Sequence, residues 1–311
     1  MDKTRILITG GAGFIGSSLA DDLSNNSNYE IVCVDNLTTG KKSNIPGSDN
    51  VKIIKCDVNR FEDISPLMSS HKFDYVFHYA AVVGVQRTLN NPVSVLRDIE
   101  GIRNILELSK NTGVKRVFYA SSSEVYGEPV EFPQIEDTTP LNSRLPYAVV
   151  KNVGESFCRS FNSEYGLKYT ILRFFNTYGP KQSPDFVVSK FLDAATKNKP
   201  ISIYGDGLQT RTFCFIKDNV EVTRLLMGNG LCINETINIG SDIETSILEL
   251  SNQIVQLTGS KSTIEFLPPL DEGDMSRRQP DNNKMKQIIG RPLIAIEDGL
   301  KEIITPKFER V

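Results

Sequence analysis

The sequence predicts an α/β fold, a doubly wound parallel sheet followed by a smaller C-terminal α/β domain. Three observations predict it. Short β-branched runs alternate with longer amphipathic stretches through the first half of the chain, which is the pattern of a parallel sheet covered on both faces. A glycine-rich turn, Thr9-Gly10-Gly11-Ala12-Gly13-Phe14-Ile15-Gly16, follows the first run directly and opens the first amphipathic stretch. With 311 residues, 39% of them hydrophobic, the chain can bury a full core without covalent staples.

Strands are expected at residues 6–9, 31–35, 51–55, 75–79 and 117–120, where apolar and β-branched side chains dominate. Helices are clearest at 14–23 and 93–112, and a further one at 147–165 leads into an apolar strand at 169–175. The pattern loosens at Asn176-Thr177-Tyr178-Gly179-Pro180, a turn. Beyond it short strands and helices mix, with a polar loop at 268–280. The expected division is a dinucleotide-binding domain over 1–178, to which parts of 215–242 return, and a lid-like domain over 179–311 built on the sheet's C-terminal edge.

Composition excludes several classes of function. Thirty-five basic residues face 38 acidic ones, a net charge of −3, so nothing global points to nucleic acid or to an acidic membrane. The apolar run near the N-terminus, 6–9, is too short for a signal peptide or a span, and a cytoplasmic protein is expected. Cys33, Cys56, Cys158, Cys214 and Cys232 show no metal or redox spacing and read as reduced core residues. With His71 and His78 the only histidines, a histidine-rich metal site is ruled out by counting.

The glycine turn carries the first chemistry. Gly10 permits a tight turn, Gly13 lets backbone approach a pyrophosphate, and Gly16 lets helix and strand pack closely. Phosphates then face a helix N-terminus, where unpaired N–H groups and the dipole favour an anion. Such a turn can also be only a turn, but Asp35 closes the second strand nineteen residues beyond Gly16. An acid there accepts hydrogen bonds from an adenosine ribose and repels a 2′-phosphate, which favours NAD over NADP. Asp57, after the third strand, reads equally as an adenine neighbour or as a solvated loop acid.

Tyr147 and Lys151 carry the second. They lie four apart at the start of a helix, with Pro146 suited to the first turn, so phenol and ammonium share one face. A free tyrosine, with a pKa of ~10, is a poor base at neutral pH. A neighbouring ammonium and a cationic nicotinamide stabilise its phenolate, and Lys151 can also hold the nicotinamide ribose. Ser121-Ser122-Ser123-Glu124-Val125-Tyr126-Gly127 follows the fifth strand, where ligands of doubly wound sheets bind. A serine there can share a proton with Tyr147; three serines can also simply make a polar turn.

With these residues in hand, the chain resembles the extended short-chain dehydrogenase/reductases, whose nucleotide-binding half is a Rossmann sheet. More narrowly it is similar to the nucleotide-sugar epimerase/dehydratase branch. The resemblance runs through residues 34–40, 78–81 and 173–180, through 204–211 (Tyr-Gly-Asp-Gly-Leu-Gln-Thr-Arg), and through 277–281 (Arg-Arg-Gln-Pro-Asp). It implies that Gly10, Gly13, Phe14, Ile15, Gly16, Asp35, Asn36, Asp57, Val58, Ala80, Ala81, Tyr147 and Lys151 contact NAD. It implies Ser122 as hydroxyl partner, Tyr147 as base and Lys151 as its support. Asn176, Arg211 and Arg278 would hold the diphosphate of a nucleotide sugar, which the resemblance makes a UDP-sugar; residue type alone reads either arginine equally as a surface ion-pair partner. A homodimer through the helices at 93–112 and 147–165 is implied in the same way. One departure is visible: Thr212 stands where many relatives carry aspartate.

The reaction turns on Glu124. In this family a 4-epimerase usually has a small or hydroxyl residue there, whereas dehydratases and UDP-glucuronate decarboxylases usually have glutamate. A carboxylate near the sugar's C5 is the acid/base those reactions need. Against this, both neighbours of Glu124 are serines, and residues 81–88 lack the acidic substrate contact expected of a 4,6-dehydratase. Overall similarity favours a 4-epimerase, with dehydratase or decarboxylase using Glu124 as the alternative. Arg87, Lys181 and Lys190 read better as solvated surface than as contacts for a sugar carboxylate. A non-catalytic NAD-binding sensor would have no need of Tyr147 and Lys151, which the chain has kept.

Overall fold

In the computed structural model, which describes residues 3–269 and 277–308, strands and helices alternate as β1 (Thr4–Thr9), α1 (Phe14–Ser24), β2 (Tyr29–Asp35), β3 (Val51–Lys55), α2 (Phe61–His71) and β4 (Tyr75–His78). Then come α3 (Val85–Asn90), α4 (Pro92–Leu96), α5 (Asp98–Thr112), β5 (Arg116–Ser122), α6 (Pro146–Tyr165), β6 (Tyr169–Phe174) and β7 (Thr177–Tyr178). The remainder holds α7 (Val187–Thr196), β8 (Ile201–Tyr204), β9 (Thr210–Thr212), β10 (Cys214–Phe215), α8 (Ile216–Gly228), β11 (Glu235–Ile239) and β12 (Glu244–Ser246). It ends with α9 (Ile247–Thr258), β13 (Ile264–Leu267), α10 (Asn283–Ile289) and α11 (Ile296–Phe308).

Seven strands form the main sheet in the order β11-β6-β5-β4-β1-β2-β3. The pairs β2–β3, β1–β2, β1–β4, β4–β5 and β5–β6 are all parallel. Ile6, Leu7 and Ile8 of β1 are fully buried in succession, as a strand covered on both faces requires. The order reverses between β1 and β4, where Thr9 sits beside His78. At such a switch point the connections leave in opposite directions and open a crevice at the strands' C-terminal ends.

The chain divides into two compact units. One takes the described residues through Val125, then Ser143–Phe174 and Val220–Ile237; the other takes Tyr126–Asn142, Phe175–Asn219 and the described residues from Asn238 onward. In the second unit β8 pairs with β13 and β7 with β10 in parallel, while β9 and β12 pair antiparallel. Its core gathers Phe191, Leu192, Ile201, Ile203, Phe215, Leu250 and Ile254, all buried. Helix α9 opens on a capping box, the Ser246 side chain accepting from the Glu249 backbone while Glu249 accepts from the Ser246 N–H.

Three details differ from the sequence expectation. The helix expected over 93–112 is two, broken at Arg97, which lets Asp98 open α5 with its side chain turned inward. The fifth strand continues through Ser121 and Ser122, both buried, and the serine-rich turn proper is a 3₁₀ helix over Ser123–Tyr126. Cys232 is only half-buried, in the turn before β11, whereas the other four cysteines are core residues. Of the loop expected at 268–280, residues 270–276 lie outside the described ones, while Pro280 bridges to Gln134.

Candidate active site

Gly10 follows β1 with φ of +66°, and a Cβ there would lie 2.8 Å from the Ala80 nitrogen. Both the left-handed backbone and the closeness to the end of β4 demand glycine. A Cβ at Gly16 would lie 2.5 Å from the Gly10 carbonyl, so α1 can seat against the turn only without one. Helix α1 begins at Phe14 after an extended Gly13, and no side chain caps it. Its first N–H groups, with those of Phe14 and Ile15 foremost, are therefore left to an anion. This glycine cradle, together with an acid at the end of β2, fits the pyrophosphate and ribose of a dinucleotide.

Asp35 is that acid, 9% exposed. Its Oδ2 accepts from the Ala12 N–H at 3.0 Å and its Oδ1 from the Leu37 N–H at 2.8 Å. It thereby ties the end of β2 to the glycine turn. Asn36 reaches the Asp57 carboxylate at 3.5 Å, and Asp57 accepts from the Asn59 N–H at 3.0 Å. Asp57 is thus a structured turn acid and not merely a solvated one. Val58, next to it, is buried.

The Ala80-Ala81 side of the crevice is anchored by two residues the sequence reading passed over. Thr9 Oγ1 accepts N–H bonds from Tyr79 and Ala80, both at 3.1 Å. Its one proton is then left for His78 Nδ1 at 2.9 Å, which puts the ring's own proton on Nε2. Burial, reinforced by the Lys151 charge, pulls His78 down to about 3, so the ring is neutral. Asp98 is the other: its Oδ2 accepts from the Val82 N–H at 2.7 Å and its Oδ1 from Asn59 at 3.3 Å. Burial pushes its carboxyl up while the Val82 N–H and Lys151 pull it down. A sequence signal existed in each case, since a polar residue at the inner end of an apolar strand or helix face needs a partner.

Tyr147 and Lys151 lie in the first two turns of α6, where Pro146 takes the N1 position. The Lys151 ammonium is buried, 5.7 Å from the centre of the Tyr147 ring, and donates to the Ala120 carbonyl at 2.7 Å. Burial lowers it from 10.5 to about 8, opposed by the Asp98 carboxylate. It therefore stays charged at neutral pH and can stabilise a phenolate beside it. Ser122 ends β5, two residues beyond that carbonyl, and its Oγ accepts the Glu124 N–H at 3.2 Å. Glu124 is half-buried in the 3₁₀ turn, with its Oε2 shielded from solvent.

In the second unit Arg211 and Arg278 are both buried, at 9% and 5% exposure, so neither is a surface ion-pair residue. Arg211 belongs to β9 and donates to the Thr210 carbonyl at 2.7 Å. Asn176, at a positive φ of 21°, donates from its side chain to the Thr212 carbonyl at 3.2 Å. Thr212 itself is fully buried, and its hydroxyl has no hydrogen-bond partner among the described residues. Arg87, partly exposed on α3, donates to the Val83 carbonyl at 3.0 Å.

A profile of the NAD-dependent epimerase/dehydratase family matches residues 6–240. The chain belongs to that family. It is 38% identical to a UDP-N-acetyl-α-D-glucosaminuronate decarboxylase of Bacillus cytotoxicus, over 97% of each chain. It is 35% identical to a putative UDP-glucose 4-epimerase of Methanocaldococcus jannaschii, over 96% of this chain and 97% of that one. Among solved structures, the UDP-glucose 4-epimerase of Thermotoga maritima with UDP-glucose superposes with a TM-score of 0.92 at 33% identity, over 99% of each chain. The protein is thus an NAD-dependent enzyme with the family's Rossmann-like sheet. Among the described residues, no helix is long and apolar enough to cross a membrane.

Proposed function

We propose that this enzyme is a UDP-sugar 4-epimerase working through a 4-keto sugar. The observation that carries the reading is the Tyr147–Lys151 pair, with its ammonium pinned to the end of the strand that finishes in Ser122. Bound NAD would supply the hydride acceptor and donor for the sugar's C4. Tyr147 takes the proton of the 4-hydroxyl, Ser122 hydrogen-bonds that hydroxyl and relays the proton, and the Lys151 charge makes the phenolate accessible. Gly10, Gly13, Gly16 and the N–H groups of Phe14 and Ile15 hold the pyrophosphate of the cofactor. Asp35 and Asn36 take its ribose, Asp57 and Val58 its adenine side, and Ala80 and Ala81 line the opposite wall. Arg211, Arg278 and Asn176 hold the diphosphate of the sugar nucleotide, a task suited to two guanidiniums and an amide. After oxidation the keto sugar turns over and the hydride returns to its other face, so no further acid or base is required.

One observation favours a second reading. Glu124 lies two residues beyond Ser122, in the 3₁₀ turn that follows β5, and the Bacillus cytotoxicus relative is a decarboxylase. On a sugar acid, oxidation at C4 creates a β-keto carboxylate that sheds carbon dioxide, and Glu124 would deliver the proton to C5. A dehydratase would use the same residue to remove the C5 proton. Purified enzyme with NAD, offered UDP-sugars and UDP-sugar acids and followed by mass spectrometry and NMR, separates the readings. A product of unchanged mass with inverted C4 supports the epimerase; loss of carbon dioxide or water overturns it in favour of Glu124 chemistry. A homodimer is part of the proposal, because α4 and α6 leave Val93, Leu96, Val149 and Tyr165 exposed. A monomer in light scattering would remove it.

A further inference from the structure

Glu155 lies on α6 four residues after Lys151 and eight after Tyr147, so the three side chains follow one helix face. Its carboxylate is fully buried. Oε1 accepts from Ser121 Oγ at 2.6 Å and from Arg173 Nε at 2.8 Å. Oε2 accepts from Arg173 Nη2 at 2.7 Å and from Arg159 Nη2 at 2.9 Å. Burial alone would push the carboxyl up, yet Arg173 and Ser121 hold it below the usual glutamate range.

The partners matter by where they stand. Ser121 is the residue before Ser122 in β5, and Arg173 is the residue paired with Ser121 in β6. One carboxylate therefore grips the helix and two adjacent strands at a single level, beside their C-terminal ends. The helix also comes unusually near β5 at this point, since a Cβ at Gly154 would lie 2.1 Å from the Tyr119 hydroxyl. Apolar packing tolerates sliding; a two-pronged guanidinium–carboxylate pair does not. A buried ion pair is also a weak source of net stability, because desolvation offsets much of its attraction. What it supplies here is register.

We propose that Glu155 is a positioning residue for the reaction: through Ser121 and Arg173 it holds α6 at the level where Tyr147 and Lys151 meet Ser122. The proposal rests on the assignment of those three as the reacting groups. A displacement of about 1 Å can cost ~100-fold in rate, so the clamp is expected to show in turnover before it shows in binding.

The test uses the full chain with NAD and the UDP-sugar it turns over best. Ser121→Ala removes the hook on β5 and leaves the ion pair intact; Glu155→Gln keeps the shape and removes the charge. Expected are kcat losses of about tenfold and about 100-fold respectively, with KM and NAD affinity within about twofold. Amide exchange over residues 147–155 should rise in both, while exchange in α1 stays as in the parent. Turnover within about twofold of the parent in both variants, with only a lower melting temperature, overturns the proposal. Should Glu155→Gln fail to fold, Ser121→Ala decides, joined by a Glu155→Met/Arg173→Met double variant that replaces the pair with apolar side chains. Full activity in that folded double variant overturns the clamp, and lost kcat at unchanged KM supports it. A parent that turns over no UDP-sugar sinks the functional reading instead, and the exchange at 147–155 then judges the clamp by itself.

Discussion

Lys151 on α6 and Ala120 on β5 are joined by a 2.7 Å hydrogen bond from ammonium to carbonyl. The bond ties the ammonium beside Tyr147 to the strand that ends, two residues later, in Ser122. It also explains how a buried lysine remains an ammonium, since the carbonyl dipole and the Asp98 carboxylate together replace part of its lost hydration. The bond fixes the ammonium beside the Tyr147 ring.

The Lys151 shift has a defined sign. Its folded value of about 8 lies below the 10.5 of an unperturbed lysine, so between those two pH values the unfolded chain holds more protons than the folded one. Stability contributed by this group therefore rises from about pH 8 to about pH 10.5, and the cost of burying the charge is fully present below that window. Lys151→Met should remove this rise in urea melts and lower kcat by at least ~100-fold. A variant whose pH–stability curve matches the parent's would show that burial does not perturb this lysine.

Tyr147→Phe keeps the ring and loses the hydroxyl. NAD binding, followed by calorimetry, should stay within about twofold of the parent, while turnover falls by ~10²–10⁴-fold. Full activity in this variant would remove Tyr147 as the base.

Asp35→Ala should weaken NAD and narrow the preference over NADP, because it removes the carboxylate proposed to accept the ribose hydroxyls and repel a 2′-phosphate. It should also lower stability by about 1–3 kcal/mol, since the N–H groups of Ala12 and Leu37 lose their acceptor. Cofactor titrations beside a thermal melt separate the two effects. An unchanged NAD/NADP ratio takes Asp35 out of the ribose site.

His78 works in the opposite pH range from Lys151. Its folded value of about 3 is below the ordinary 6.5, so the unfolded chain binds the extra proton first as pH falls. Stability from the neutral ring is whole above about pH 6.5 and drains away toward pH 3. In His78→Gln, urea midpoints measured between pH 7 and pH 4 should fall less steeply than in the parent. Equal slopes would mean that another group dominates acid unfolding.

Much of this was legible in the residues. The run Ile6-Leu7-Ile8-Thr9 and the glycines after it make a buried parallel strand and a tight turn from local chemistry alone, and the structure has both. Tyr147 and Lys151 share a helix face because four residues make about one turn, and Pro146 sets where the helix starts. The helix break at Arg97 was not legible. Residues 93–112 keep a helical period throughout, and only the Val82 N–H and Asn59, brought in from β-strand ends far along the chain, give Asp98 a reason to turn inward.

The same division holds for the site. Residue type and spacing determined which groups can do chemistry: a phenol, an ammonium, a serine, an acid at the end of the second strand, and a fold class whose ligands bind at strand ends. Tertiary structure decided their states and their company. That Lys151 sits near a pKa of 8, that His78 is neutral, that Arg211 and Arg278 are buried, and that Glu155 is shared by Ser121 and Arg173 all depend on desolvation and on partners distant in sequence. Local pattern carries backbone preference, whereas charge state and register are set by what the folded chain packs around each group.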